Sequence, residues 1–284
     1  MTANTSSPAH HIAFIGGGNM ASAIIGGLIK MGTPAAFIQV VEPFAGQRSK
    51  LTQQFGVAVH ALPGDALNRA DLVVWAVKPQ TFKEAAAQAQ AHTVKALHLS
   101  VAAGIRSDSI AQWLDTEKVV RAMPNTPALV GQGMTALFAR LAVTSADRQA
   151  VEAVLQPTGQ LMWLQGDAEG SGESQLDAVT ALSGSGPAYV FYFLEAMIAA
   201  GVDMGLTRQA AHQLAVGTFV GASALAQAAS EPPEVLRERV TSKGGTTYAA
   251  LTVMENAHIK QHFMHAMEAA RQRAIALGNE LGTP

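Results

Sequence analysis

A doubly wound parallel α/β domain followed by an all-α domain is the fold class that the sequence predicts, and three observations lead to it. First, Ile12-Ala13-Phe14-Ile15 runs into Gly16-Gly17-Gly18 and then into apolar residues at helical spacing (Met20, Ala23, Ile24, Gly27, Leu28). That is a strand, a tight turn and a helix. Second, short β-forming runs alternate with helical patterns through about residue 165, the signature of βαβ units. Third, a polar, glycine-rich stretch at 166–174 separates this part from alanine-rich helical segments at 175–200, 207–229 and 246–280. The expected organisation is a disordered leader over 1–10, a dinucleotide-binding domain over 11–165, a linker over 166–174 and a helical domain over 175–284.

The opening turn fits G-x-G-x-x-A at Gly16, Gly18 and Ala21. In such a Rossmann-like unit one glycine makes the turn, one lets a pyrophosphate approach the backbone, and a small residue allows close packing of helix on strand. The free amides and the positive end of the helix dipole then form an anion site. Phe37–Val41 reads as the second strand, with Glu42 at its end, where a carboxylate accepts hydrogen bonds from ribose hydroxyls and repels a 2'-phosphate. That chemistry leans towards NADH; the nearby cations Arg48 and Lys50 soften the lean where either reaches a 2'-phosphate, while the commoner role of such residues is as solvated helix charges.

Gly56–Val59 predicts a short strand and Pro63–Arg69 a short helix. Leu72–Val77 is a nearly continuous β-forming run, as a parallel strand covered on both faces should be. It stops at Lys78-Pro79, where open α/β sheets bind ligands at the carboxyl ends of their strands. Leu97–Ala102 repeats the design and ends in Ala102-Ala103-Gly104, small enough for a nicotinamide ring to lie flat. Val119–Met123 is a further strand, closed by the rigid Pro124-Asn125-Thr126-Pro127.

Composition excludes several functions. A net charge of -2 and a charged fraction of 14% leave no basic footprint for nucleic acid or anionic membrane. With no cysteine there is no disulfide, thiolate metal site or cysteine nucleophile, which suits a reducing, cytoplasmic setting. Residues 1–10 are small and polar, unlike a signal peptide. The strongly apolar stretch Ala188–Ala200 contains Glu195 and is too short to span a bilayer, so a soluble protein is expected.

In the helical part, Leu182–Pro187 (L-S-G-S-G-P) reads as a helix start, with serines able to cap and proline in the first turn. The helix beyond it is apolar nearly all round and must be covered on every side. More surface is needed than one sheet domain and two helices offer, which points to a subunit interface. Val240–Thr247 (V-T-S-K-G-G-T-T) again places glycines, hydroxyls and free amides at a helix N-terminus: Gly244-Gly245 open the backbone and Ser242, Thr246 and Thr247 crowd one turn. A carboxylate is the natural guest of such a turn, although a capped helix with nothing bound has the same residues.

Taken together, F-I-G-G-G-N-M-A-S-A-I, A-V-K-P-Q, S-V-A-A-G, R-A-M-P-N-T-P, L-S-G-S-G-P-A-Y and T-S-K-G-G-T-T, in this order over nearly the whole chain, resemble a pyrroline-5-carboxylate reductase. The resemblance implies reduction of the cyclic imine 1-pyrroline-5-carboxylate to proline by NADPH or NADH, the last step of proline biosynthesis. It also implies a helical domain that interlocks with its partner in a dimer, often within larger rings. By the same resemblance Gly16, Gly18, Asn19 and Met20 approach the cofactor phosphates, and Val77, Lys78, Pro79, Ala102 and Ala103 line the ribose and nicotinamide. Ser242, Gly245, Thr246 and Thr247 hold the substrate carboxylate, with Thr247 also near the ring nitrogen, so that Ser242 and Thr247 are the candidate catalytic residues. The sequence departs from the family pattern at Glu42, at Pro63, where many members have Asn, and at Lys243, where many have Pro.

Three other readings compete. A 3-hydroxyacid dehydrogenase needs a lysine on the interdomain helix, and Gly184–Val190 has none. A nucleotide-sensing module needs no Ser242–Thr247 cluster. His258, His262 and His265 fall at i, i+4 and i+7 on one predicted helix face, but the H-E-x-x-H glutamate is missing, and no metal is expected. Trp75, Trp113 and Trp163 sit in apolar settings and read as core or interface.

Overall fold

The computed structural model describes residues 10–165 and 171–282. The expected leader, apart from His10, and positions 166–170 of the expected linker lie outside the described residues. The described chain separates into two compact units, one running up to Ser185 and resuming at Ala270, the other spanning Gly186–Ala269.

The first unit is built on an eight-stranded sheet. Its strands and helices follow in the order β1 (Ile12–Ile15), α1 (Asn19–Lys30), β2 (Ile38–Val41), α2 (Ala45–Phe55), β3 (Ala58–His60), β4 (Leu72–Trp75), α3 (Pro79–Ala89), β5 (Leu97–Ser100), α4 (Ser107–Leu114) and β6 (Val119–Met123). Beyond them come β7 (Gly133–Ala139), α5 (Ser145–Leu155), β8 (Gly159–Trp163) and α6 (Ser171–Val179). The spatial order β3-β2-β1-β4-β5-β6-β7-β8 reverses direction after β1, which is the doubly wound topology. All pairs from β3 to β6 are parallel. β7 is antiparallel to β6, and β8 runs parallel to β7. The all-parallel expectation therefore holds for six strands. The reversal follows from chain length, because the connection from Met123 to Gly133 carries only a 3-10 turn (Thr126–Val130), too short for the crossover that a parallel neighbour requires.

The apolar strands are covered on both faces. Ile12, Phe14, Val40, Leu72, Val74 and Leu99 enter one core with Ile24, Ile25 and Leu28 of α1. Ala13, Ile15, Val73 and Trp75 enter the other with Phe82 of α3 and Ile110 of α4. Trp75 stacks on Phe82 at 4.9 Å between ring centroids, and Phe82 meets Trp113 at 5.9 Å. Trp75 Nε1 donates to Nδ1 of buried His98 at 3.0 Å. Burial holds that imidazole neutral, with a pKa lowered to about 4. The expected helix at Pro63–Arg69 is a single 3-10 turn, Asp65–Leu67.

The second unit contains α7 (Gly186–Asp203), α8 (Arg208–Ala228), α9 (Pro233–Arg239), α10 (Thr246–Asn256) and the first part of α11 (Ile259–Leu281). A helix does start within L-S-G-S-G-P, since α7 begins at Gly186 with Pro187 in its first turn, but residues 180–184 before it form a π-helical turn, in which the Ser185 amide donates to the Thr180 carbonyl at 2.8 Å. The wide turn takes up one extra residue and joins α6 to the start of α7, so Ser183 lies within a helical turn. The pattern at 246–280 is two helices, broken at Ala257 and His258, where His258 adopts φ +53. This break takes His258 off the helical face shared by His262 and His265. Among the described residues no three His, Cys, Asp or Glu side chains gather as metal ligands.

Among the described residues, the buried apolar side chains of the second unit form one small cluster, Ile198, Ala211 and Ala215, with Leu194 against them. Phe191 (57% exposed) and Tyr192 (71%) lie open on α7, and Leu214, Val220 and Leu225 on α8. The run Gly172–Asp203 is long and apolar enough, by length and composition, to cross a membrane, a possibility that Ala188–Ala200 by itself did not raise. The helical segments before and after the π turn add the length that the sequence pattern divided.

Candidate active site

The carboxyl edge of the sheet aligns the first group of candidates. Ile15 is in register with Val41 on one side and Trp75 on the other, and Trp75 with Ser100. The ladder continues one step further, because Gly16 N–H donates to Val41 O at 2.8 Å, Ala76 N–H to Ile15 O at 2.8 Å and Val101 N–H to Trp75 O at 3.1 Å. Gly16, Glu42, Ala76 and Val101 thus leave the sheet side by side, with Val77 and Ala102 one residue further on, at the edge where open α/β sheets bind ligands. Val77 and Pro79 are half-buried, Lys78 is exposed, Ala102 is buried and Ala103 half-buried.

The glycine turn has distinct demands at each position. Gly16 adopts φ +94, and a Cβ there would lie 2.6 Å from the Ala76 carbonyl oxygen. A Cβ on Gly17 would meet Leu51 at 2.4 Å. Gly18, in contrast, has nothing within 4 Å of the Cβ position, so its openness serves no packing of the chain itself. It is the N-cap of α1 and offers no side chain to the first amides, and the first turn, which holds Asn19 and Met20, carries no acid. Ala21 beneath is fully buried. An open, uncapped helix N-terminus with a bare glycine fits a pyrophosphate.

Glu42 is only 6% exposed, and both its oxygens are engaged by the backbone: Oε2 accepts from Gly17 N–H and Oε1 from Phe44 N–H, each at 2.9 Å. Gln47 Nε2 donates to the Gly17 carbonyl at 2.5 Å, so the Gly17 peptide is held on both sides. Sequence reading placed Glu42 at the strand end and had no means of seeing this engagement. Arg48 donates through Nη1 to the carbonyls of Glu42 at 3.1 Å and Pro43 at 2.6 Å.

The loop after β5 rests on charged groups that the sequence reading did not single out. Arg106 donates to Asp177 Oδ2 at 2.8 Å and to the Glu173 carbonyl at 3.2 Å, and the Ser107 amide donates to Glu173 Oε1 at 2.8 Å. Arg121, buried on β6, donates to the other Glu173 oxygen. Burial pulls the Arg121 pKa below the usual guanidinium value while Glu173 opposes it. The residues around Leu277 of α11 pack on the same loop, since a Cβ on Gly104 would meet Leu277 Cβ at 3.2 Å. A signal was present in the sequence, a charge inside the apolar V-V-R-A-M strand, whose partners lie 52 residues away. Asn125, in the proline-bounded loop, accepts from Met134 N–H at 3.0 Å and donates to the Ser183 carbonyl of the π turn at 3.2 Å.

In the second unit the other candidates stand together at the start of α10. Gly245 is its N-cap, with no side-chain cap and no acid in the first turn, which contains Thr246 and Thr247. Gly244 adopts φ +78, with nothing within 4 Å of a Cβ position. A Cβ on Gly245 would fall 2.6 Å from Ser242 Oγ. Ser242 and Thr246 are exposed and Thr247 half-buried. Despite three hydroxyls within six residues, none caps the helix, and its amides stay open for an anion.

Fold and glycine turn together define the class of nucleotide-dependent oxidoreductases, here with a second open, glycine-flanked helix N-terminus in the helical unit. The comparisons with known proteins make this specific. Residues 173–277 match the family described as pyrroline-5-carboxylate reductase dimerisation, and residues 11–104 that described as NADP oxidoreductase, coenzyme F420-dependent. A pyrroline-5-carboxylate reductase of Pseudomonas aeruginosa is 43% identical over 274 residues, covering 95% of this chain and 98% of that protein. Among solved structures, a pyrroline-5-carboxylate reductase from Coxiella burnetii superposes with a TM-score of 0.86 at 35% identity, over 95% of this chain and 98% of the other. A pyrroline carboxylate reductase of Plasmodium falciparum with NADP bound gives 0.83 at 26% identity, with the same coverage. The chain belongs to the pyrroline-5-carboxylate reductase family.

Proposed function

We propose that this chain reduces 1-pyrroline-5-carboxylate to L-proline with NADPH or NADH, the last step of proline biosynthesis. The observation that carries the reading is a pair of uncapped, glycine-opened helix N-termini, α1 in the first unit and α10 in the second, as a phosphate-bearing cofactor and a carboxylate substrate require. The Plasmodium falciparum relative with NADP bound and the curated reductases support it. Residues 11–165 serve the nucleotide; the helical part, 175–284, serves the substrate and the dimer.

When bound, the nicotinamide supplies a hydride. Gly18, Asn19 and Met20 receive the pyrophosphate on backbone amides, Gly16 makes the turn beneath it with its own amide held by the Val41 carbonyl, and Val77, Lys78, Pro79, Ala102 and Ala103 line the ribose and ring. The amides of Thr246 and Thr247, with the Ser242 hydroxyl, fix the substrate carboxylate over Gly245, whose own amide is held by the Ser242 carbonyl. Thr247 hydrogen-bonds the ring nitrogen and orients the imine carbon. A protonated C=N carbon is already electrophilic, so these residues contribute positioning rather than strong acid catalysis, and solvent supplies the proton.

Self-association as a dimer, or a ring of dimers, covers the apolar α7 and α8, and the protein works in the cytoplasm without membrane or nucleic acid. A second unit whose own buried cluster is so small gains its stability from a partner. The test is product analysis. Incubation with 1-pyrroline-5-carboxylate and reduced nucleotide yields L-proline; nucleotide binding without proline would overturn the reading.

A further inference from the structure

We infer that Arg48 receives the adenosine 2'-phosphate, that Glu42 positions the glycine turn rather than binding ribose, and that the chain prefers NADPH. The inference rests on the nucleotide reading above and deepens it.

The acidic residue at the end of β2 would ordinarily accept the ribose hydroxyls and exclude a 2'-phosphate. Here its oxygens accept the Gly17 and Phe44 amides, and the side chain is buried. Those two amides, and the Arg48 guanidinium held against the Glu42 and Pro43 carbonyls, offset its negative charge where a phosphate would lie.

Arg48 is pre-organised for the opposite preference. Its Nη1 protons are taken by the two carbonyls, which fixes the guanidinium plane at the mouth of the β2–α2 turn. Among the described residues no acceptor takes the Nε and Nη2 protons, which leaves the edge that grips phosphate best. Helix α2, eleven residues long, begins at the same turn with Phe44 as N-cap, no side-chain cap and no acid in its first turn, so its dipole adds positive potential. The Phe44 side chain, one turn before Arg48, is 75% exposed, an apolar ring beside the cation where an adenine base can stack.

The test is binding, read by quenching of intrinsic tryptophan fluorescence, with adenosine 2',5'-bisphosphate and adenosine 5'-monophosphate as probes beside NADPH and NADH. The wild-type protein binds the bisphosphate and NADPH more tightly than the monophosphate and NADH. Loss of charge-assisted hydrogen bonds in Arg48→Gln reduces that preference by about ten- to a hundredfold. Arg48→Lys, which keeps the charge, restores part of it. Glu42→Gln weakens NADPH and NADH by the same factor, because the amide cannot accept from both backbone N–H groups, and leaves their ratio in place. An unchanged ratio in Arg48→Gln, or a rise in the NADPH preference of Glu42→Gln, would overturn the inference while nucleotide binding stands. Wild-type protein that binds none of the four would overturn the nucleotide reading and the inference with it.

Discussion

The buried His98 makes stability depend on pH in a way that can be calculated. Its ring is 1% exposed, with Nδ1 accepting from Trp75 Nε1 at 3.0 Å, and its pKa is lowered from 6.5 to about 4. In the unfolded chain the imidazole returns to about 6.5 and binds a proton that the folded protein refuses. The stability is therefore complete above the unfolded pKa and falls with pH from about 6.5 down to about 4. At about pH 5 the loss is about 2 kcal/mol, and below pH 4 it levels off at about 3 kcal/mol. Urea unfolding at about pH 7.5 and pH 5, at matched protein concentration because association contributes, measures it. His98→Phe cannot titrate: it loses about 1–3 kcal/mol at both pH values through the unpaired indole N–H, and the part of the pH difference due to His98 disappears. An equal pH difference in the two proteins would refute the reasoning.

Further predictions follow from the other buried and exposed groups. Glu173→Gln leaves Arg121 buried without its countercharge and should cost about 3–5 kcal/mol, seen as a lower urea midpoint, whereas an unchanged midpoint would remove the ion-pair network from the stability account. Thr247→Ala should lower kcat/KM for the imine and leave nucleotide affinity unchanged; normal turnover would remove Thr247 from substrate positioning. Tyr192→Asp, on the exposed face of α7, should shift the protein towards monomer in light scattering after size exclusion. An unchanged mass would place the interface elsewhere.

Much of the sheet was legible because parallel strands covered on both faces must be continuous apolar runs. Val119–Met123 was placed to the residue, and the strands at Ile38, Leu72 and Leu97 to within one or two residues. The antiparallel β7 was not placed, because Gly133–Ala139 carries no marker of direction; only the short connection from β6 decides it. The π turn at Thr180–Gly184 escaped for a related reason: serine, glycine and proline signal a helix end, and nothing local distinguishes an end from a wide turn whose Ser183 carbonyl is held by Asn125. Helix α9 was not placed either, its seven residues being too few for a periodic signal.

At the site, the sequence placed Gly16, Glu42, Val77 and Ala102 at the ends of separate strands, and the register sets those ends side by side. What it could not convey is which groups are already occupied. Glu42 is chemically able to hold a ribose, and only its hydrogen bonds to Gly17 and Phe44 reveal another use. The His258, His262 and His265 spacing was lost to one residue at φ +53, a conformation that no helical periodicity records.

The most direct test of the proposed chemistry uses reduced nucleotide carrying deuterium at both nicotinamide C4 positions. With 1-pyrroline-5-carboxylate, the account predicts proline bearing one deuterium on the ring carbon that formed the C=N bond, in proportion to the nucleotide oxidised. Nucleotide oxidation without label at that carbon, or no proline from protein that binds the nucleotide, would contradict it.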